Sequence, residues 1–498
     1  VLEIPKGIKV SHHRLSHTNR AEVIKMAARR PDLLVADIEK CRKVACLNNA
    51  WPNEYMMSFG ISVEQEKCVV QGLRLRHPDI YAGADCPLRR DARQPEKFVM
   101  CEKFIIPAIQ KIEYAVIGET ELALEEFMEG AMKMDRTRPA MFFAVYRDRL
   151  PKIHDIFKFM ESRLGVVTQQ ICLPVAENIR NNISATIDNV LAKMNKKLGG
   201  ANWTVAPSSQ IEDRAAYEQA KSDWFAERML LGISIGHCEK DEEARVVGMG
   251  YTFGTPENRS AMSWYQSPHD LTRHVVKAFE VWYFQNCNTL PSAILVYRKS
   301  SYGNDDDALK VAFEIAQVKE AIVEVGKKFW KPLYNPTIQA VCVISRGGDR
   351  LFKACGNSDG NVDPGTVVGI DASHPDRIEW PMVAHRATTG TPSATRAVLA
   401  IHEQGDCDSG RLLPPEELRA LTFAMCFMHE VSTQPTRLPV PLTDADAVVK
   451  RTRINFRKAT ERNMVPLAFG EGRDAAYYAR ISDLLRVHPH LEGTQYYA

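Results

Sequence analysis

Lys193 and Lys197 stand four residues apart in the run NVLAKMNKKLGG (189–200), at the end of a helix-like segment that a Gly-Gly pair stops. That spacing is close to one helical turn, so both ammonium groups leave the same side of the helix. The helix-like segment before it holds a second such pair, His154 and Lys158, and the strand-like run between them carries Gln169 and Gln170. Cationic and amide donors gathered at one end of an open α/β sheet make an anion pocket, suited to a terminal phosphate. The plainer alternative is that lysines in a last helical turn complement the helix dipole and stay in water. The chain has no Walker-type lysine loop, which excludes that class of nucleotide site.

Other residue groups invite chemistry less strongly. SHHRLSH (11–17) offers three histidines without further ligands at metal spacing and reads as a polar loop. His237, Cys238 and Glu239 are adjacent in sequence, so their side chains do not face one another, and they read as the end of a strand. SRGGDRLF (345–352) and the glycine-rich stretch after it read as loops around a hairpin, with Arg346 and Arg350 free to meet a polyanion's backbone.

The elements that must position these residues follow from periodicity. AMFFAVYR (140–147) reads as a strand, and LPKIHDIFKFMESRLG (150–165) as a helix with Pro151 at its start and Ile153, Phe157, Met160 and Leu164 on one face. VVTQQICL (166–173) reads as a strand, followed by one helix carrying Ile179, Ile183, Ile187, Val190 and Met194. Strand, helix, strand, helix implies a parallel α/β sheet. From about residue 225, further strands (MLLGISIG, ARVVGMGYTF, SAILVYR, TIQAVCVIS) alternate with helices at 270–286, 305–327, 414–429 and 443–458, which implies a mixed sheet covered by helices. The first region, to about residue 105, reads as a helix near 18–48 broken at Pro31, then short β-like runs, and acts as a layer packed on other domains.

Composition bounds the class. With 45% apolar and 25% charged residues the 498-residue chain is an ordinary globular protein of several domains. A formal net charge of +2 means that a polyanionic partner must meet a local basic surface. Twelve scattered cysteines without C-x-x-C pairs fit reduced thiols in the cytosol or nucleus. No apolar run is long enough to span a bilayer, the first residues carry no signal-peptide pattern, and a first residue of Val fits a piece of a longer chain.

KMNKKLGGANW resembles the lysine and double-glycine signature that ends the MID domain of Argonaute proteins. FGISV, ILVYR (294–298), GNVDPGTVV (360–368), SHP (373–375), AHRATTGTPSATRAVL (384–399), TRLPVPLTDADAVVKRTR (436–453) and the Tyr-Tyr-Ala end are similar to further blocks of that family, in its order. The resemblance implies an α/β fold with a second-linker region at 1–105 following an absent PAZ domain, a Rossmann-like MID domain at 106–215 and an RNase H-like PIWI domain at 216–498. It implies that the MID domain holds the 5′ phosphate of a short guide RNA. The phosphate ligands carry over onto His154, Lys158, Gln169 (or Gln170), Lys193 and Lys197, with Arg451 reaching across from PIWI and the carboxylate of Ala498 buried nearby. Histidine in place of the family's tyrosine resembles the worm-specific secondary Argonautes, which implies guides with a 5′ triphosphate on guanosine. On residue type alone, Arg451 and Arg453 read as a solvated helix face.

Active members of the family hold two metals with an Asp-Glu-Asp-His set. Here the corresponding positions fall on Ser234, about Ser267, Lys299 and Asp446. One carboxylate cannot build a two-metal site, and Lys299 puts a cation where a metal would sit. The expectation is a non-cleaving protein with no cofactor for catalysis, and with a magnesium ion at the guide 5′ phosphate allowed. Silencing of complementary target RNA then depends on recruited effector proteins, in the cytoplasm, germ granules or nucleus, with no membrane. Two alternatives stay open. One is a metal-dependent guide-directed endonuclease using Asp305–Asp307, Glu239 and Asp270 as shifted carboxylates, although the acidic run also reads as a helix's first turn. The other is a protein-interaction scaffold without RNA.

Overall fold

The computed structural model describes residues 28–47, 53–60, 70–82, 88, 90–94, 96–97, 116–118, 120–134, 139–147, 151–181, 184–208, 224–225, 227–238, 241–266, 271–300, 305–345, 349–353, 360–368, 377–387, 389–407, 410–465 and 475–498. The first region contains α1 (Pro31–Val44), α2 (Glu54–Ser58), β1 (Gly72–Arg74) and β2 (Asp79–Tyr81). Next come α3 (Glu121–Met134), β3 (Met141–Tyr146), α4 (Pro151–Leu164), β4 (Val167–Cys172), α5 (Leu173–Arg180), α6 (Ser184–Lys197) and β5 (Thr204–Ala206). The long strands β6 (Arg228–Cys238), β7 (Asp241–Phe253) and β8 (Thr255–Gln266) precede α7 (Leu271–Gln285), β9 (Ala293–Ser300), α8 (Asp305–Lys328) and β10 (Thr337–Ile344). Short strands β11 (Phe352–Lys353), β12 (Gly360–Asn361), β13 (Thr366–Val368), β14 (Glu379–Val383) and β15 (Thr395–Glu403) lead to α9 (Pro415–Met425), α10 (Val440–Glu461) and α11 (Ala475–Leu484).

One nine-stranded sheet dominates, in the order β1-β13-β14-β15-β10-β9-β6-β7-β8. Its centre, β10-β9-β6, is parallel, and the flanking pairs are antiparallel. The expected α/β class therefore holds, with a mixed sheet. The parallel pair β3-β4 is the described sheet of the preceding unit. The first region is tied in by strands: Leu73 pairs with Val367 at one edge of the large sheet, and Ile80 pairs with Val205.

Two expectations change. The single helix after β4 is two, because Pro174 starts α5 directly from the strand and Asn181 closes it, so Ile179 and Ile187 lie on different helices. The strand β8 was not expected: TPENRSAMSWYQ has no apolar alternation at its start, and pairing with β7 around Gly254 (φ +104°) makes it a strand. The hairpin of β11 and β12 and the helical start of the acidic run at Asp305 agree with the sequence reading. His237 and Cys238 end β6. Glu239, Asp270, Arg346 and SHHRLSH lie outside the described residues.

Glycine spacing on β6 and β7 places α10. A Cβ on Gly232 or Gly250 would collide with the Pro441 carbonyl, and one on Gly248 with that of Ala445. Gly236 has the same relation to Val449, where a Cβ would stand 2.6 Å from a side-chain methyl. Four glycines lower that face of the two strands, and α10 lies in the resulting trough. Its far half then packs on α3, α4 and α11 through Val449, Phe456, Ala459, Ile156, Phe159 and Ile481.

Candidate functional site

Helix α4 buries Ile153, Ile156, Phe157, Phe159 and Met160, and this apolar packing draws Lys158 and Glu161 inside with it. Gly165 (φ +70°) ends the helix and turns the chain into β4, which brings Thr168 back beside Glu161. Helix α6 arrives from the other side. Its last turn is closed by Gly199 (φ +87°), whose N–H donates to the Lys196 carbonyl at 3.0 Å.

The Lys197 side chain is 1% exposed, so the solvated-lysine alternative does not describe it. Its Nζ donates to the Thr168 carbonyl at 2.7 Å and to Gln169 Oε1 at 3.1 Å. Lys158 Nζ donates to the same carbonyl at 3.1 Å and to Thr168 Oγ1 at 2.7 Å. Gln169 and Gln170 both belong to the site, in different roles: Gln170 Oε1 lies 2.8 Å from His154 Nδ1, and Gln169 Nε2 donates to the Gln170 carbonyl at 3.0 Å. An amide oxygen only accepts, so His154 carries a proton on Nδ1 and turns Nε2 away from Gln170. Lys193 is half-buried on the same helix face and adds positive potential at Lys158 and Lys197.

From the opposite side of the cluster, Arg451 of α10 meets the Glu161 carboxylate, donates to the Tyr496 carbonyl at 3.4 Å and stands 5.6 Å from the Tyr496 ring centroid. Its solvated-face alternative fails for the same reason as that of Lys197: it is buried. Two further contacts keep α4 and α10 in register, Asn455 Nδ2 to Ser162 Oγ at 2.9 Å and Arg457 to Asp155 at 2.5 Å. The expected burial of Ala498 is corrected. The rings of Tyr496 and Tyr497 fill a pocket with Val167, Val448 and Leu491, which leaves the last residue partly exposed at the rim.

Electrostatics mark the place as unusual. Lys158, Lys197 and Arg451 are three buried cations against the one buried carboxylate of Glu161. Burial, and then the neighbouring Lys197, Arg451 and Lys193, hold the Lys158 ammonium well below its ordinary value. Burial and Lys193 bring Lys197 down to about 7. Burial also acts against the charge on Arg451, which stays ionised against Glu161. An added anion would relieve all three. The donor set does not suit a divalent cation held by the protein, since Glu161 is already engaged by Thr168, Lys158 and Arg451. Among the described residues no group of three or more His, Cys, Asp and Glu is placed to hold a metal.

A second buried cluster lies beside this one and was not expected from the sequence. Lys196 Nζ pairs with Glu430 at 2.7 Å, Arg259 of β8 pairs with Glu430 and, at 2.8 Å, with Asp444. The N–H of Asn202 donates to Glu430 at 2.8 Å. These groups join α6 to β8 and α10, and their charges balance. Burial and Arg259 bring Lys196 down to about 8 despite its partner.

At the positions where the family's nuclease ligands were expected, the structure brings three residues together. Ser234 Oγ donates to Asp446 Oδ1 at 2.5 Å, and Lys299 Nζ donates to Asp446 Oδ2 at 2.5 Å. Both carboxylate oxygens are thus occupied. Ser267 lies outside the described residues.

Missed by the sequence reading were Glu161, Thr168, Lys196 and Glu430. Glu161 left a trace, three residues after Lys158 on the same helix face and within a run of large apolar residues.

Comparison with known proteins agrees with this architecture. The nuclear RNAi defective-3 protein of Caenorhabditis elegans is 24% identical over 352 residues, covering 66% of this chain and 32% of the relative. Argonaute protein wago-1 of the same nematode is 23% identical over 376 residues, covering 70% and 36%. Protein argonaute-2 of Drosophila melanogaster is 28% identical over 309 residues, covering 59% and 23%. The chain therefore spans between about a quarter and a third of the length of these curated relatives. Among solved structures, that of Kluyveromyces polysporus Argonaute with a guide RNA superposes with a TM-score of 0.69 at 15% identity, covering 97% of this chain and 62% of that one. Drosophila Piwi gives 0.57 at 19% identity, covering 77% and 45%. The Piwi domain family matches residues 140–457, well over half of the chain, and the protein therefore belongs to the Argonaute/Piwi family.

Proposed function

We propose that this chain holds the 5′ phosphate end of a short guide RNA at the seam between a MID domain (106–215) and a PIWI domain (216–498), and that it silences paired transcripts without cutting them. The observation that carries this reading is the convergence of Lys158, Lys197 and Arg451, from three helices, on the neighbourhood of one carbonyl and one carboxylate. Burial leaves the two lysines partly neutral in the empty pocket, and an anionic ligand would draw their protons back and balance the charge. A nucleic-acid end supplies it, and the guide's bases then carry sequence specificity while the protein needs only backbone and shape contacts.

Five features fit a heavily charged end such as a 5′ triphosphate on guanosine: Lys193, Lys197, Lys158, Arg451 and the histidine at 154. The trio Ser234–Asp446–Lys299 supports a non-cleaving reading, because a lysine ammonium takes the carboxylate that a divalent ion would need. Silencing then falls to recruited effector proteins. No helix among the described residues is long and apolar enough to cross a membrane. The name of the nematode nuclear RNAi relative favours action in the nucleus, with the cytoplasm and germ granules as the other sites to compare.

The test is to purify the protein from its own cells and clone bound RNA with and without removal of a 5′ triphosphate, beside a Lys193→Ala/Lys197→Ala variant. Short RNAs that need triphosphate removal, and are lost in the variant, are expected. Monophosphate guides would overturn the triphosphate assignment. Absence of RNA would leave a protein-interaction scaffold, and metal-dependent cutting of a paired target would leave an endonuclease.

A further inference from the structure

Glu161 occupies an anion's seat. Its carboxylate accepts the Thr168 N–H at 2.5 Å and the Thr168 hydroxyl at 3.0 Å, lies 3.5 Å from Lys158 Nζ and meets the Arg451 guanidinium. One backbone amide, one hydroxyl, one ammonium and one guanidinium are the donor set that a phosphate oxygen cluster takes. The residue is 0% exposed, so its charge is not screened by water.

We propose that Glu161 is a built-in competitor of the guide's 5′ phosphate, an internal anion that holds Arg451 and Lys158 together in the guide-free chain and sets how strongly a phosphate binds there. This rests on the reading of the pocket as the 5′-end site. A phosphate entering beside Lys197 and Lys158 meets the negative charge of Glu161 at short range in a low-dielectric seam, and must either share Arg451 with it or take Arg451 from it. The same carboxylate bridges α4 to α10, the helix that also carries Asp446, before Arg451 in the chain. Guide loading therefore exchanges a contact inside the protein for one with RNA, and the two occupants of Arg451 are mutually exclusive or mutually weakened. The arrangement gives the empty pocket a stable form without an external anion, at the expense of affinity.

Glu161→Gln tests this, because glutamine keeps the shape and one accepting oxygen and removes the charge. The whole chain is titrated with RNAs of one sequence bearing a 5′ hydroxyl, a monophosphate or a triphosphate. Relative to the hydroxyl RNA, both phosphorylated RNAs are expected to bind E161Q about tenfold or more tightly than they bind the unaltered chain. The melting temperature of the guide-free variant is expected to fall and to be restored by inorganic pyrophosphate more than that of the unaltered chain. Glu161→Asp, which keeps the charge, is expected to gain little and serves where E161Q does not fold. A phosphate preference that E161Q leaves unchanged or weakens would overturn the competition and make Glu161 a positioning residue for Arg451. Equal binding of all three RNAs by the unaltered chain would instead overturn the 5′-end reading itself.

Discussion

Lys299 Nζ and Asp446 Oδ2 stand 2.5 Å apart, and the other oxygen of that carboxylate accepts from Ser234. A cation bound through the backbone of β9 cannot diffuse away, so it excludes a divalent ion from Asp446 by occupancy and by repulsion. The expected outcome is that neither magnesium nor manganese binds this place measurably in the guide-loaded chain. The double change Ser234→Asp/Lys299→Asp assembles three carboxylates and is expected to bind manganese, read by its electron paramagnetic resonance signal. Manganese binding in the unaltered chain, abolished by Asp446→Ala, would contradict the closed trio.

Lys197 gives the pocket a pH dependence with opposite signs for folding and for binding. Burial brings its folded value down to about 7 from an ordinary 10.5. Between these values the unfolded chain holds the extra proton, so the stability of the guide-free protein rises with pH across that window and is lost as pH falls through it. A bound phosphate pulls the proton back onto Lys197. Binding above pH 7 then takes up a proton, and affinity for 5′-phosphorylated RNA is expected to fall by up to about tenfold per pH unit. Dissociation constants measured from pH 6.5 to 8.5 check the slope, and Lys197→Met is expected to flatten it.

Residue spacing made part of this site legible. Lys193 with Lys197 and His154 with Lys158 follow from helical repetition, and the strand carrying Gln169 and Gln170 follows from its apolar flanks. Arg451 could be assigned only through family resemblance, because its burial depends on α10 sinking into a trough of glycines on two other strands. Glu161 left only an ambiguous trace, since a carboxylate three residues after a lysine reads equally well as a solvated pair. Glu430 and Lys196 were silent for another reason: they are partners only once α6 and the segment after α9 have been brought together by the fold. In β8 the leading TPENRS carries no β pattern, and only the pairing with β7 makes it a strand.

The Glu430 cluster is expected to govern stability rather than chemistry. Glu430→Ala leaves Lys196 and Arg259 buried without that carboxylate, a loss of about 3–5 kcal/mol by comparison with other broken buried pairs. Urea denaturation measures it. If the loss comes from the stranded charges, adding Lys196→Met to Glu430→Gln recovers part of the stability that Glu430→Gln alone removes. Additive losses would show instead that the two residues do not interact.

The trough beneath α10 links the fold to the pocket. A methyl group at Gly248 would collide with the Ala445 carbonyl and stand 2.7 Å from a Val449 methyl, so Gly248→Ala must lift that part of α10. Overpacking of this kind costs about 1–3 kcal/mol, and the displacement carries Arg451, further along the same helix, away from Glu161 and Lys158. Gly248→Ala is therefore expected to lower both the melting temperature and the preference for 5′-phosphorylated over 5′-hydroxyl RNA. Gly130→Ala in α3 is the matched control, since a Cβ there has nothing within 4 Å and alanine favours the helix by up to about 1 kcal/mol. A Gly248→Ala variant that loses stability but keeps the full phosphate preference would show that Arg451 is held by its contacts at the pocket and not by the trough.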